Sequence, residues 1–161
     1  METRSEPPIR SVTGAPRGEL SNDIFLVPWH DEVIEPLGFG PRSVYVETCW
    51  LPVLGPTATW LYRRLGSWAE FNPNGISIDM TDLAISLGLG EGLGKQSLLA
   101  RSLERLVRFE VARFQAVGEL AVRTALPLLP HRHVERLSYS ARRFHDEVAR
   151  RPKADLPGRS V

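Results

Sequence analysis

The sequence predicts a mainly α protein with a small β-hairpin, an α+β fold, and three observations carry that prediction. Apolar side chains recur at three- and four-residue spacing over 56–71, 81–87 and 95–108, the period of helices that bury one face. Residues 119–126 alternate apolar with polar or small side chains directly after Gly118, the pattern of a half-buried strand leaving a tight turn. The 161 residues, 42% hydrophobic and 24% charged, suffice for one well-formed core and not for two full domains.

Taken in order, residues 1–22 mix Pro, Gly, Ser and charges without periodicity and are expected to be disordered, as is the tail 150–161. Residues 23–149 between them form the expected single domain. Its first part, 23–54, reads as a helical platform. Pro28 suits the start of a short helix that Pro36 and Gly38 end, and a second helix is expected from Ser43 to about Leu54. Gly55 and Pro56 restart the chain into a helix with Trp60, Leu61, Leu65 and Trp68 on its apolar side. Asn72-Pro73-Asn74-Gly75 is a turn, followed by a very short strand at Ile76 and Ile78. Thr81 and Asp82 open the next helix and Gly88 closes it. After a glycine-punctuated turn comes a longer helix over 95–108, with Leu99, Leu103 and Leu106 inward and Arg101, Arg105 and Arg108 outward. Strands at 109–115, with a bulge near Val111 and Ala112, and at 119–126 make the hairpin. Residues 131–149 close the fold as one or two helices, broken near Ser138.

No run approaches the roughly 18–20 apolar residues of a membrane span, and the N-terminus lacks the apolar centre of a secretory signal, so the expected location is cytoplasmic. The lone Cys49 fits a buried packing position. The net charge of +1 conceals a split: residues 1–94 carry 6 Arg/Lys and 12 Asp/Glu, a balance of −6, and residues 95–161 carry 14 and 7, a balance of +7. Such asymmetry suits one face made for a polyanion. Eighteen of the 20 basic residues are Arg, which GC-rich coding alone would produce, so the pattern matters more than the count.

Chemical motifs are weaker. The run GEGLGK at 90–95 has Leu89 where a phosphate loop needs its first glycine, and Gln96 where it needs Ser or Thr. Leu93 likewise occupies the third glycine position of a dinucleotide fingerprint. His131, His133 and His145 have no Cys or carboxylate cluster at ligand spacing. The acid–base types in Trp29-His30-Asp31-Glu32 lack a neighbouring nucleophile and read as a salt-bridged cap. Trp50, Trp60 and Trp68 fit the core, and Trp29 is the tryptophan expected at the surface. No catalytic set, cofactor or metal is implied.

The order helix, short strand, helix, turn, helix, hairpin over 55–126, with the phrase MTDLAISLGL at 80–89, resembles a winged helix-turn-helix, here with extra N- and C-terminal helices. Residues 27–145 also resemble uncharacterised proteins of GC-rich bacteria, through VPW at 27–29, YVE at 45–47, WLPVLGP at 50–56 and LAVR at 120–123. The first resemblance implies a transcriptional regulator without catalysis that binds double-stranded DNA. Helix 95–108 would enter the major groove, with Lys95, Gln96, Ser97 and Arg101 toward base edges and Arg105 and Arg108 on phosphates. Arg113 and Arg123 of the hairpin would extend the basic surface toward the flanking backbone or minor groove. The turn before that helix is longer and richer in glycine than the family's usual one. A homodimer partner is a further expectation for the regulator; the alternative is a winged-helix protein-interaction module, without direct DNA reading, that docks on a protein of the transcription or replication machinery.

Overall fold

The computed structural model describes residues 20–151. Four strands and six α-helices surround one continuous apolar core: β1 (Asp23–Trp29), α1 (Leu51–Leu54), α2 (Pro56–Phe71), β2 (Ile76–Asp79), α3 (Met80–Ser86), α4 (Leu98–Arg108), β3 (Ala112–Ala116), β4 (Glu119–Arg123), α5 (His131–Val134) and α6 (Tyr139–Arg150). A π-helical turn, Val46–Trp50, leads into α1. Among the described residues no helix is long and apolar enough to cross a membrane.

The α+β class is present, but the sheet exceeds the expected hairpin. Its order is β2-β1-β4-β3, with β1 antiparallel to β2 and parallel to β4, and β3 antiparallel to β4. The first expected helix, starting at Pro28, is instead strand β1. Ile24 and Leu26 point into the core and Phe25 points out, the two-residue period of a strand. Pro28 is tolerated there for a topological reason. Phe25 donates its N–H to the Gly118 carbonyl on the β4 side, so Pro28, three residues on, turns to the opposite side, where pairing with β2 has already stopped at Leu26 and Ile76. No ladder bond is lost at that position.

Both faces of β4 are buried: Leu120, Ala121, Val122 and Arg123 are each 9% exposed or less. One wet face was the expectation; instead α2 covers the inner face, and on the outer face Arg123 is held by Asp31, the Glu110 carbonyl and the Trp29 ring. Strand β4 stops at Arg123, short of the expected residue 126. The irregularity in β3 lies between Phe114 and Ala116, not at Val111 and Ala112. The parity change near 111 has another cause. Helix α4 ends with Glu110 in the left-handed region at φ 58°, the N–H of Val111 returning to the Leu106 carbonyl and that of Glu110 to Val107. This C-terminal motif ordinarily uses glycine.

Helix α2 lies across the inner sheet face against β1 and β4, and α4 packs on α2. Leu61, Tyr62 and Leu65 are buried in α2, but Trp60, expected in the core, is 57% exposed with the Arg63 guanidinium 5.0 Å from its ring. Trp60 precedes the buried stripe Ala58–Leu61–Leu65 on the helical wheel and falls outside it. Val44 is likewise exposed. The 131–149 segment breaks where expected, with Ser138 accepting from the Ala141 N–H as the cap of α6. Of the tails expected to lack structure, residues 1–19 and 152–161 lie outside the described residues. Leu20 donates its N–H to Leu93 and Asn22 accepts from Met80, so the ordered fold begins slightly earlier than 23.

A buried polar joint ties the first and last segments together. The Tyr45 hydroxyl accepts the Leu129 N–H at 2.8 Å and meets His145 Nδ1 at 2.7 Å, while its ring stacks on Phe39 at 4.0 Å. Burial holds the His145 imidazole below its usual range, against an opposing pull from Asp146. Tyr62, in contrast, is buried with no partner for its hydroxyl among the described residues. Thermal denaturation should separate the two. Tyr45→Phe strands a buried backbone N–H and should cost about 1–3 kcal/mol, whereas Tyr62→Phe removes an unsatisfied group and should leave stability equal or higher.

Candidate nucleic-acid interface

Helix α4 is sharply two-faced. Leu99, Ser102, Leu103 and Leu106 are buried, and Arg101, Arg105 and Arg108 stand outward at i, i+4 and i+7, a single stripe along the helix. Helix α4 begins at Leu98, later than the expected residue 95. Lys95 and Gln96 are exposed in the turn that precedes it. Ser97 is the N-cap, its Oγ accepting the Ala100 N–H at 3.1 Å, so its primary task is local and not the base contact the sequence suggested.

The three arginines differ in freedom. Arg105 donates to the Val53 carbonyl at 2.8 Å and lies 5.5 Å from the Phe109 ring. The guanidiniums of Arg101 and Arg108 make no hydrogen bond or ion pair among the described residues. An i,i+4 pair of Glu104 with Arg108, the ordinary fate of such charges on a solvated helix, is absent from the ion pairs of the described residues. The stripe forms one wall of a groove of about 510 Å³. Leu54 at the end of α1, Gly55 and the first residues of α2 form the other wall, and Glu104 contributes the groove's one carboxylate.

The hairpin arginines belong elsewhere. Ala112 and Val122 face the core, which places Arg113 on the sheet's outer face, away from α2. There the Trp29 ring meets two guanidiniums, Arg113 at 4.2 Å and Arg123 at 3.7 Å from its centroid. Arg123 is not the backbone contact expected of it. Its Nε donates to the Glu110 carbonyl at 2.7 Å and its Nη1 to Asp31 Oδ2 at 2.9 Å, leaving the side chain 11% exposed. The Arg123 hydrogen bond, supported by the N–H groups of Ile34 and Val33, holds the Asp31 carboxyl below its usual range. The expected continuous basic stripe over 95–123 therefore reduces to α4 and the turn before it.

Sequence reasoning missed the groove wall at 54–58, because burial by a neighbouring helix leaves no local periodic signal. It also missed the Arg123–Asp31 pair, 92 residues apart. Replacing Arg123 tests its structural role: Arg123→Ala should lower stability by on the order of 2 kcal/mol, the scale for losing charge-assisted hydrogen bonds. The same variant, measured below its melting temperature, should bind any polyanion ligand as wild type does. Unchanged melting with weakened binding would return Arg123 to the interface.

No family model, curated protein or solved structure matches this chain. A functional reading rests on the geometry of α4 and the groove beside it.

Proposed function

We propose that residues 55–126 act as a winged helix-turn-helix unit and that the protein binds double-stranded DNA through α4, as a transcriptional regulator in the cytoplasm. The observation that carries this reading is the stripe Arg101, Arg105 and Arg108, exposed on a helix whose opposite face is fully buried, with two of the three guanidiniums unpaired among the described residues. An α-helix fits the major groove, and its N-terminal end approaches base edges. Lys95, Gln96 and Arg101 stand at that end, while Arg105 and Arg108, further along, suit phosphates. Two departures shape the proposal. Strand β1 separates β2 from β4, so the sheet is wider than a simple wing, and the hairpin tip Val117 carries no charge.

A protein-docking module is the second reading. It is favoured by Leu98, an exposed apolar side chain that lines the groove, and by Glu104 beside it.

Titration of a labelled duplex at several salt concentrations tests the proposal. Each neutralised phosphate contributes a slope of about −0.9 in log K against log salt. Arg108→Ala should weaken binding to all sequences alike and make the slope shallower by about that amount. Arg101→Ala should instead reduce preference for an enriched site over random DNA by about 5- to 100-fold, the range for one base contact. Absence of duplex binding at low salt would exclude the DNA reading and leave the docking module.

A further inference from the structure

We propose that the groove between the start of α2 and the arginine face of α4 is a phosphate-binding site. Resting on the nucleic-acid reading, it takes one phosphodiester of the DNA backbone. The first wall supplies backbone donors. Helix α2 has 16 residues, its N-cap Gly55 has no side chain to cap it, and Pro56 at its first position has no N–H. The N–H groups of Thr57 and Ala58 therefore lack both an intrahelical partner and a side-chain cap. They open at the end of the helix where the aligned peptide dipoles place about half a positive charge. The second wall supplies charge: Arg105 is tethered to the Val53 carbonyl, and Arg108 is unpaired among the described residues, with Arg101 and the carboxylate of Glu104 also lining the groove.

Ser102 is the independent sign of a ligand. It is only 7% exposed and lines this groove. A serine inside a helix ordinarily returns its hydroxyl to a carbonyl three or four residues back, as Ser86 does to Leu83 at 2.8 Å. The Ser102 hydroxyl makes no such bond, and it has no other partner among the described residues. The Ser102 residue is thus nine-tenths buried with its hydroxyl unpartnered, in a groove that two orphan amides and three guanidiniums also line. A phosphate oxygen accepts from all of these donor types at once. The open shape of the groove suits a phosphate whose two ester bonds continue outward.

The test uses the full chain labelled with nitrogen-15. Its amide spectrum is followed while inorganic phosphate, or a duplex, is added against chloride at matched ionic strength. Phosphate should shift the Thr57 and Ala58 amides saturably, and the duplex should shift the same amides at concentrations at least ten-fold lower. Ser102→Ala, with unchanged melting temperature, should weaken both by about five-fold, the scale of one hydrogen bond. Duplex binding that leaves those amides and the Ser102→Ala affinity unaltered overturns the site while the DNA reading stands. Phosphate shifts without duplex binding support the phosphate site and overturn its assignment to a DNA backbone, together with the DNA reading. No shift with either ligand overturns the site outright.

Discussion

Strand β1 is the constraint on which the rest of the structure depends. It occupies the gap between β2 and β4, pairing antiparallel on one side and parallel on the other. Without it, the four residues of β2 would have no partner, and the β3–β4 hairpin would stand alone, an arrangement of marginal stability in water. Parallel pairing of β1 with β4 also brings the N-terminal segment against the last strand, so the contacts close a long loop whose entropy only a well-packed core offsets. Leu26, Leu120 and Val122, all essentially inaccessible, supply that packing beneath α2.

Two polar joints fix what β1 brings together. On the outer sheet face, Arg123 bridges Asp31 and the Glu110 carbonyl and stacks on Trp29. Glu110 ends α4 in the left-handed conformation, so the same guanidinium also anchors the corner from which α4 projects. On the other side, Tyr45 joins the backbone at Leu129 to His145 of α6. The basic stripe of α4 is thus carried on a helix held at both ends, by the Ser97 cap at its start and the Glu110 corner at its end. A rigid helix presenting arginines loses little entropy on binding.

Local physics made part of this legible in the sequence. The buried line Leu99, Leu103, Leu106 and the exposed line Arg101, Arg105, Arg108 follow from a 3.6-residue period, and the break at Ser138 follows from capping chemistry. Other features depend on pairing between distant residues. Pro28 looks like a helix start until it is known that β2 has ended on that side, and the unbroken apolar run at 24–27 shows no two-residue alternation to mark a strand. Trp60 shares the helical spacing of Leu61, Leu65 and Trp68, and only the packing of α2 shows it to lie off the buried stripe. Arg123 lies on a strand whose outer face looked wet, and only the fold brings Asp31 and Trp29 against it. The groove joins residues 54–58 to residues 98–108, far apart in sequence, and its unpartnered Ser102 hydroxyl has no signature in one dimension.

The central claim is that DNA meets this protein on α4 and the start of α2. Hydrogen exchange of backbone amides, compared with and without a duplex, tests it most directly. The account predicts slowed exchange confined to the turn and helix over residues 94–108 and to Thr57 and Ala58, with the outer sheet face around Trp29 and Arg113 unchanged. Protection on that outer face with none along α4 would contradict it.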